Sequence, residues 1–234
     1  EAVDRMVALA KAAGKAPLYI VHVSAKESVD LIREARKAGD TVFGETCPQY
    51  LVLDESRYDD PEEGLKFILS PPLRAKEHQA AIWEGIKDGT LQVIATDHCS
   101  FDYHGDKQNG KDDFTKCPNG APGVETRMPI VFSEGVSKGR MSLNKFAAVT
   151  STNPAKIFGM YPKKGVLAVG SDADIVLMNP DMEVTITKNI LHENVDYTPY
   201  EGIKVKGWPV MTMVRGQVVV ENERLQVPLG FGRY

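Results

Sequence analysis

The sequence has no long apolar run, and nothing in it approaches the roughly 20 residues a helix needs to cross a bilayer. It lacks an excess of positive charge. With a formal net charge of −4, it has no electrostatic pull toward nucleic acid or an anionic membrane, and neither is expected as a partner. Cysteine is scarce: Cys47, Cys99 and Cys117 form an odd set without a C-x-x-C pair. That excludes a disulfide framework and argues against a zinc-finger or thioredoxin-type site. A reducing cytoplasm is the expected location. Low-complexity tracts and long-range repeats are missing too. A signal peptide is not in evidence, because Glu1–Lys15 is charged and helix-like. The chain opens inside that amphipathic stretch without a start methionine, which reads either as a trimmed leader or as the absence of a large N-terminal portion.

What is present is ordinary for a soluble globular protein: 234 residues, 42% hydrophobic and 26% charged, enough for a sizeable core. The first half alternates strand and helix patterns. Leu18–Val23 is a nearly continuous apolar, β-branched run that suits a strand buried on both faces. Ser24 with Glu27 three residues on reads as a capping box opening a helix with Val29, Ile32 and Ala35 on one face. Thr41–Thr46 and Leu91–Thr96 read as further strands, with a helix over about 76–88 between them. This alternation predicts α/β units with right-handed crossovers. Residues 101–123 are rich in Gly, Asp, Asn, Lys and Pro and read as a long surface loop, the kind that is usually functional or disordered. Helical stretches are expected near 128–137 and 143–149, and a short one with Asn153 as N-cap and Pro154 at its first position. Beyond Gly165 the pattern changes to short strands at 175–178, 183–187, 210–214 and 217–220, as in a small antiparallel module. The expected domains are residues 1–162 and 163–234.

Two strand ends carry the chemistry. His22 closes the first strand and Asp97 the third, and in parallel α/β folds the C-terminal strand ends face the active site. Each has a bland reading: a satisfied buried histidine, and an aspartate capping the next turn. Together they are more informative. Parallel strands lie about 4.8 Å apart, so strand-end side chains can converge on one ion, and imidazole with carboxylate suits Zn²⁺, Mn²⁺ or Co²⁺. Two ligands are only half of a catalytic site, which wants at least three. His78, His104 and His192 have no spacing that recruits them. Glu45 reads as a solvent-facing or capping carboxylate. Pro118–Gly123 is a glycine-dependent turn, or a loop that offers the Asn119 amide to a polar substrate.

An ordered set of segments resembles the dihydropyrimidinase and hydantoinase family of cyclic amidohydrolases, in its C-terminal portion. The segments are Val21–Ser24, Gly44–Leu51, Leu69–Arg74, Ala95–Cys99, Pro118–Gly120, Gly123–Pro129, Thr150–Ala155, Lys164–Gly165 with Val169–Asp174, and Asn194–Tyr197 with Tyr200–Gly202. They run through nearly the whole chain. The resemblance implies the last three strand units of a TIM-type (β/α)8 barrel plus a small β-sandwich module. It implies His22 and Asp97 as metal ligands, with Asp97 also a proton shuttle, and Ser70 and Asn119 as residues that hold the cyclic amide. The implied reaction is hydrolysis of 5,6-dihydropyrimidines or 5-substituted hydantoins to N-carbamoyl amino acids by a metal-bound hydroxide. The implied cofactor is Zn²⁺, binuclear in the complete enzyme, with Mn²⁺ or Co²⁺ as alternatives, and the implied assembly is a homotetramer. Nothing here matches the family's H-x-H pair, its carboxylated lysine, its other metal-binding histidine or a substrate-binding tyrosine. Three strand units cannot close an eight-stranded barrel, so the chain is expected to be the C-terminal half of the enzyme and inactive alone. The alternatives are a non-catalytic oligomeric scaffold of the same family or an inactive fragment.

Overall fold

A computed structural model describes residues 1–232. The chain divides into two compact units, one comprising Glu1–Arg127 with Ile186–Ile203, the other Met128–Thr185 with the chain from Lys204 onward. Each is an α/β or β assembly with its own sheet, one parallel and one antiparallel.

The first unit is built on a parallel sheet ordered β1 (Leu18–Ile20), β2 (Val42–Thr46), β3 (Val93–Ile94). The register pairs Leu18 with Val42 and Ile20 with Gly44, then Glu45 with Val93 and Thr46 with Ile94. Three helices of normal length accompany the strands: α1 (Ala2–Ala12), α2 (Lys26–Lys37) and α4 (Glu77–Asp88); α3 (Gln49–Val52) is a single turn after β2. The apolar stripe of α2 falls where the periodicity puts it, with Val29, Ile32 and Ala35 buried. Ile82 and Ile86 of α4, Leu91, Val42 and Ile94 complete this core. Gly85 lets α4 approach α2 closely, since a Cβ there would lie 2.8 Å from Val29 Cγ1.

Sequence and structure differ locally. The capping box at Ser24 does not form: α2 is preceded by Ala25 without a side-chain cap, and the first helical N–H, from Lys26, donates instead to His78 Nδ1 at 3.0 Å. A ring from α4 thus performs the job assigned to a local hydroxyl. The strands β1 and β3 are shorter than their apolar runs, because ladder pairing stops where the chain leaves for the strand-end residues. Glu45 is neither solvent-facing nor a cap. It is half-buried and accepts a 2.5 Å hydrogen bond from the Tyr19 hydroxyl.

The second unit carries the antiparallel sheet β4 (Ile175–Thr185), β5 (Lys204–Val214), β6 (Gln217–Glu221), β7 (Arg224–Leu225), paired in that order. The two strands expected at 175–178 and 183–187 are one strand, with a bulge between Asn179 and Glu183. Pro180 is tolerated because β4 is an edge strand, where a missing N–H costs no ladder bond. The helices from Arg127 onward alternate α-helical turns with π-helical stretches at Phe132–Ser137 and Ala148–Thr152. Asn153 does not cap; it follows the second π stretch as the first residue of the helix Asn153–Ile157. These helices join the antiparallel sheet. Ser133 Oγ accepts from Lys206 N at 3.0 Å, and the Phe132 and Phe146 rings meet edge to face. The expected boundary at residue 162 therefore falls inside this unit.

Candidate active site

The site is assembled at the C-terminal ends of β1, β2 and β3. Thr46, fully buried at the end of β2, serves both neighbours: its hydroxyl donates to the Val23 carbonyl at 2.8 Å and its carbonyl accepts from Ala95 N at 2.9 Å. Val23 N donates in turn to Glu45 O at 2.7 Å. His22 and Asp97 stand next to these tied points.

Both have positive φ, 39° at His22 and 51° at Asp97. Left-handed backbone is uncommon for residues other than glycine. The other such residues lie in turns: Lys15 after α1, Arg215 between β5 and β6, and Asn222 with Glu223 between β6 and β7. Among the described residues, only His22 and Asp97 adopt it where parallel strands end. Strained backbone of order 1–3 kcal/mol persists where surroundings dictate it, commonly at functional sites. The two are on alternate strands, about two strand spacings apart at roughly 10 Å, yet they interact. Burial raises the Asp97 carboxyl above its ordinary pKa, an effect that the nearby His22 ring only partly offsets. The Asp97 side chain has no hydrogen-bond partner among the described residues, so it does not cap the turn that follows.

Ser70 and Asn119 are brought to the same end of the sheet by main-chain contacts. Gly120 N donates to Ile68 O at 3.1 Å, which sets the Asn119 turn beside the Ser70 segment. Tyr50 Oη donates to Pro71 O at 2.8 Å and anchors that segment from α3. The same turn runs along the chain just past Asp97: His98 and Ala121 form a parallel bridge, and Cys99 N donates to Ala121 O at 3.1 Å. Only glycine fits at position 120, where φ is 149° and a Cβ would lie 2.5 Å from Cys99 O. His98 has a fixed role, its Nδ1 accepting from Gly123 N at 3.1 Å and Val124 N at 3.3 Å. Ser70 and Asn119 themselves are exposed, and their side chains have no partner among the described residues.

As a metal centre the arrangement is incomplete. Among the described residues no three His, Cys, Asp or Glu side chains are grouped to hold an ion. His22 and Asp97 fit as an imidazole and a carboxylate from one such set, and further ligands would have to come from outside these residues. Sequence reasoning missed Thr46, Lys107 and Asp196. Lys107 is buried in the 101–123 segment, and Asp196 holds that segment by accepting from Tyr103 N at 2.6 Å and His104 N at 2.9 Å. Asp196 lies in the quoted Asn194–Tyr197 motif, but nothing local marks its partners. No helix among the described residues is long and apolar enough to cross a membrane.

Comparison with known proteins places these features in a family. A model described as "Amidohydrolase family" matches residues 13–219. The D-hydantoinase of Geobacillus stearothermophilus is 50% identical over all of this chain and half of its own length. A D-phenylhydantoinase of Escherichia coli O1:K1 is 49% identical, again over all of this chain and 50% of the relative. Among solved structures, dihydropyrimidinase from Brevibacillus agri NCHU1002 has 51% identity and a TM-score of 0.94, covering 96% of this chain and 49% of that one. D-hydantoinase from Bacillus sp. AR9 has 48% identity and a TM-score of 0.97, covering 99% and 50%. The chain spans about half the length of the curated relatives it matches.

Proposed function

The chain belongs to the amidohydrolase family, and from that premise we propose that it is the C-terminal half of an enzyme that hydrolyses cyclic amides, dihydropyrimidines or 5-substituted hydantoins, to N-carbamoyl amino acids. The observation that carries the reading is the pair His22 and Asp97, each in left-handed backbone at the end of a parallel strand and each within electrostatic reach of the other. The names of the relatives, hydantoinase and dihydropyrimidinase, support the substrate class.

In this reading His22 and Asp97 would hold metal, Zn²⁺ by preference, together with ligands from outside the described residues. Bound metal supplies Lewis acidity, lowering the pKa of water toward neutrality and polarising the ring carbonyl. Asp97 takes the proton of the attacking water and returns it to the leaving ring nitrogen. Ser70 and Asn119 hydrogen-bond the ring amide and orient it, which is a positioning contribution. The barrel closes only with the remaining strands, and the antiparallel sheet forms part of a small sandwich. The assembly is a homotetramer of the full-length protein, in the cytoplasm.

The test is turnover of dihydrouracil and of a hydantoin by the full-length protein, with metal content measured in parallel for wild type and His22→Ala. The expected result is ring opening by the wild type, with loss of both metal and turnover in the variant. A full-length protein that binds no metal and opens neither ring would refute the enzymatic reading in favour of a scaffold.

A further inference from the structure

Among the described residues, Lys107 is the most deeply buried charged residue outside the strand-end site, with no exposed surface. Its ammonium donates to Ile68 O at 2.7 Å and to Pro118 O at 2.8 Å. It has no carboxylate within ion-pair distance among the described residues. The Phe101 ring lies 5.9 Å from its ammonium, and Cys117 and Cys99 are near enough to act on its charge. Burial lowers its pKa, and the two cysteines partly offset this.

A buried cation without a counter-ion is costly, and an apolar side chain of similar length would fill the same space without that cost. What the ammonium adds is directional. Ile68 is two residues before Ser70, and Pro118 is one before Asn119. The two carbonyls that Lys107 joins therefore belong to the two segments assigned to hold the substrate amide. Ile68 O also accepts from Gly120 N, so the lysine and the Asn119 turn converge on one carbonyl. The segment that carries Lys107 is fixed independently, since Lys107 N donates to Asp102 O at 3.0 Å and Asp196 holds Tyr103 and His104 just upstream.

We propose that Lys107 is a positioning residue that clamps the Ser70 and Asn119 segments in a single register, so that their side chains meet the two ends of one ring amide. The proposal rests on the assignment of Ser70 and Asn119 as substrate-binding residues. It differs from that assignment in that the clamp has a readout independent of turnover.

The experiment uses the full-length, metal-loaded protein with Lys107→Met and Lys107→Ala. Hydrogen exchange at the Gly120 amide and across 68–71 reports the clamp directly. Exchange should speed up at least tenfold in both variants, with metal content unchanged. Because small misplacements of oriented groups cost up to about 100-fold, kcat/KM for hydantoin should fall roughly 10- to 100-fold, with KM carrying a measurable share. Added propylammonium, filling the space left in Lys107→Ala, should restore part of both readouts. Exchange and kcat/KM within twofold of wild type would overturn the clamp. So would variants that both fail to fold, since Lys107 would then serve the core as a whole. If the wild type opens neither ring, the substrate assignment fails, and the exchange data alone still decide whether Lys107 joins the two segments.

Discussion

Replacing Asp97 by Asn separates the two readings of this residue sharply. Asn tolerates left-handed backbone as well as Asp does, so the φ of 51° is kept. The carboxylate has no hydrogen-bond partner among the described residues, so no cap is lost, and stability should change by no more than about 0.5 kcal/mol, as for a surface substitution. The chemistry should change far more. The amide cannot accept a proton, and loss of general acid–base catalysis typically lowers rate about 10²–10⁴-fold. At about 1.4 kcal/mol per decade that is roughly 3–5 kcal/mol of barrier, several times the effect on folding. If Asp97 holds metal as proposed, the loss of charge beside His22 should also weaken metal retention and lower the rate further. The assay is kcat with dihydrouracil and with a hydantoin, together with metal analysis and thermal melting, on the full-length protein. A variant that melts with wild type, keeps its metal and turns over at a near-normal rate would eliminate Asp97 as the proton shuttle.

Three further outcomes are expected. Asn119→Ala should leave stability and metal content unchanged, because the side chain is exposed and bonds to nothing described, while kcat/KM falls roughly three- to hundred-fold as a substrate hydrogen bond is lost; loss of metal instead would make it a structural turn residue. Thr46→Val leaves the buried Val23 carbonyl without its 2.8 Å donor and should cost about 1–3 kcal/mol in denaturant unfolding. Thr46→Ser, which keeps the hydroxyl, should cost about 0.8 kcal/mol for the lost methyl, and a Val variant no less stable than the Ser variant would show that the bond contributes nothing. The 234-residue chain expressed alone should open neither ring and should aggregate through β1 and β3, the edges of its parallel sheet; robust hydrolysis by the isolated chain would refute the half-enzyme reading.

The sequence by itself determined the α/β alternation, the buried face of α2 and the end of α4, because those depend on local periodicity and on residues with special backbone preferences. Val29, Ile32 and Ala35 are buried as the 3.6-residue period requires, and Gly89 ends α4 in left-handed conformation. It also singled out His22, Asp97, Ser70 and Asn119, since an ordered set of motifs is visible along the chain. What it could not supply were interactions between residues far apart in number. Only the tertiary structure decided that His78 caps α2 in place of Ser24, that β4 continues through Pro180 by way of a bulge, and that helices after residue 128 join the antiparallel sheet. The same holds for the site. A lysine among Gly, Asp and Asn reads as solvated, and Lys107 is buried because its own loop folds back to place Pro118 O against it while Ile68 O approaches from 39 residues away. Thr46 reads as one more β-branched strand residue, and its importance comes from standing between β1 and β3, whose order in the sheet no local pattern encodes. Hydrogen bonds across 23 to 52 residues, such as those of Thr46, Lys107 with Ile68 and Lys26 with His78, depend on chain topology, and topology follows from how the whole apolar surface is buried, a property of no single segment.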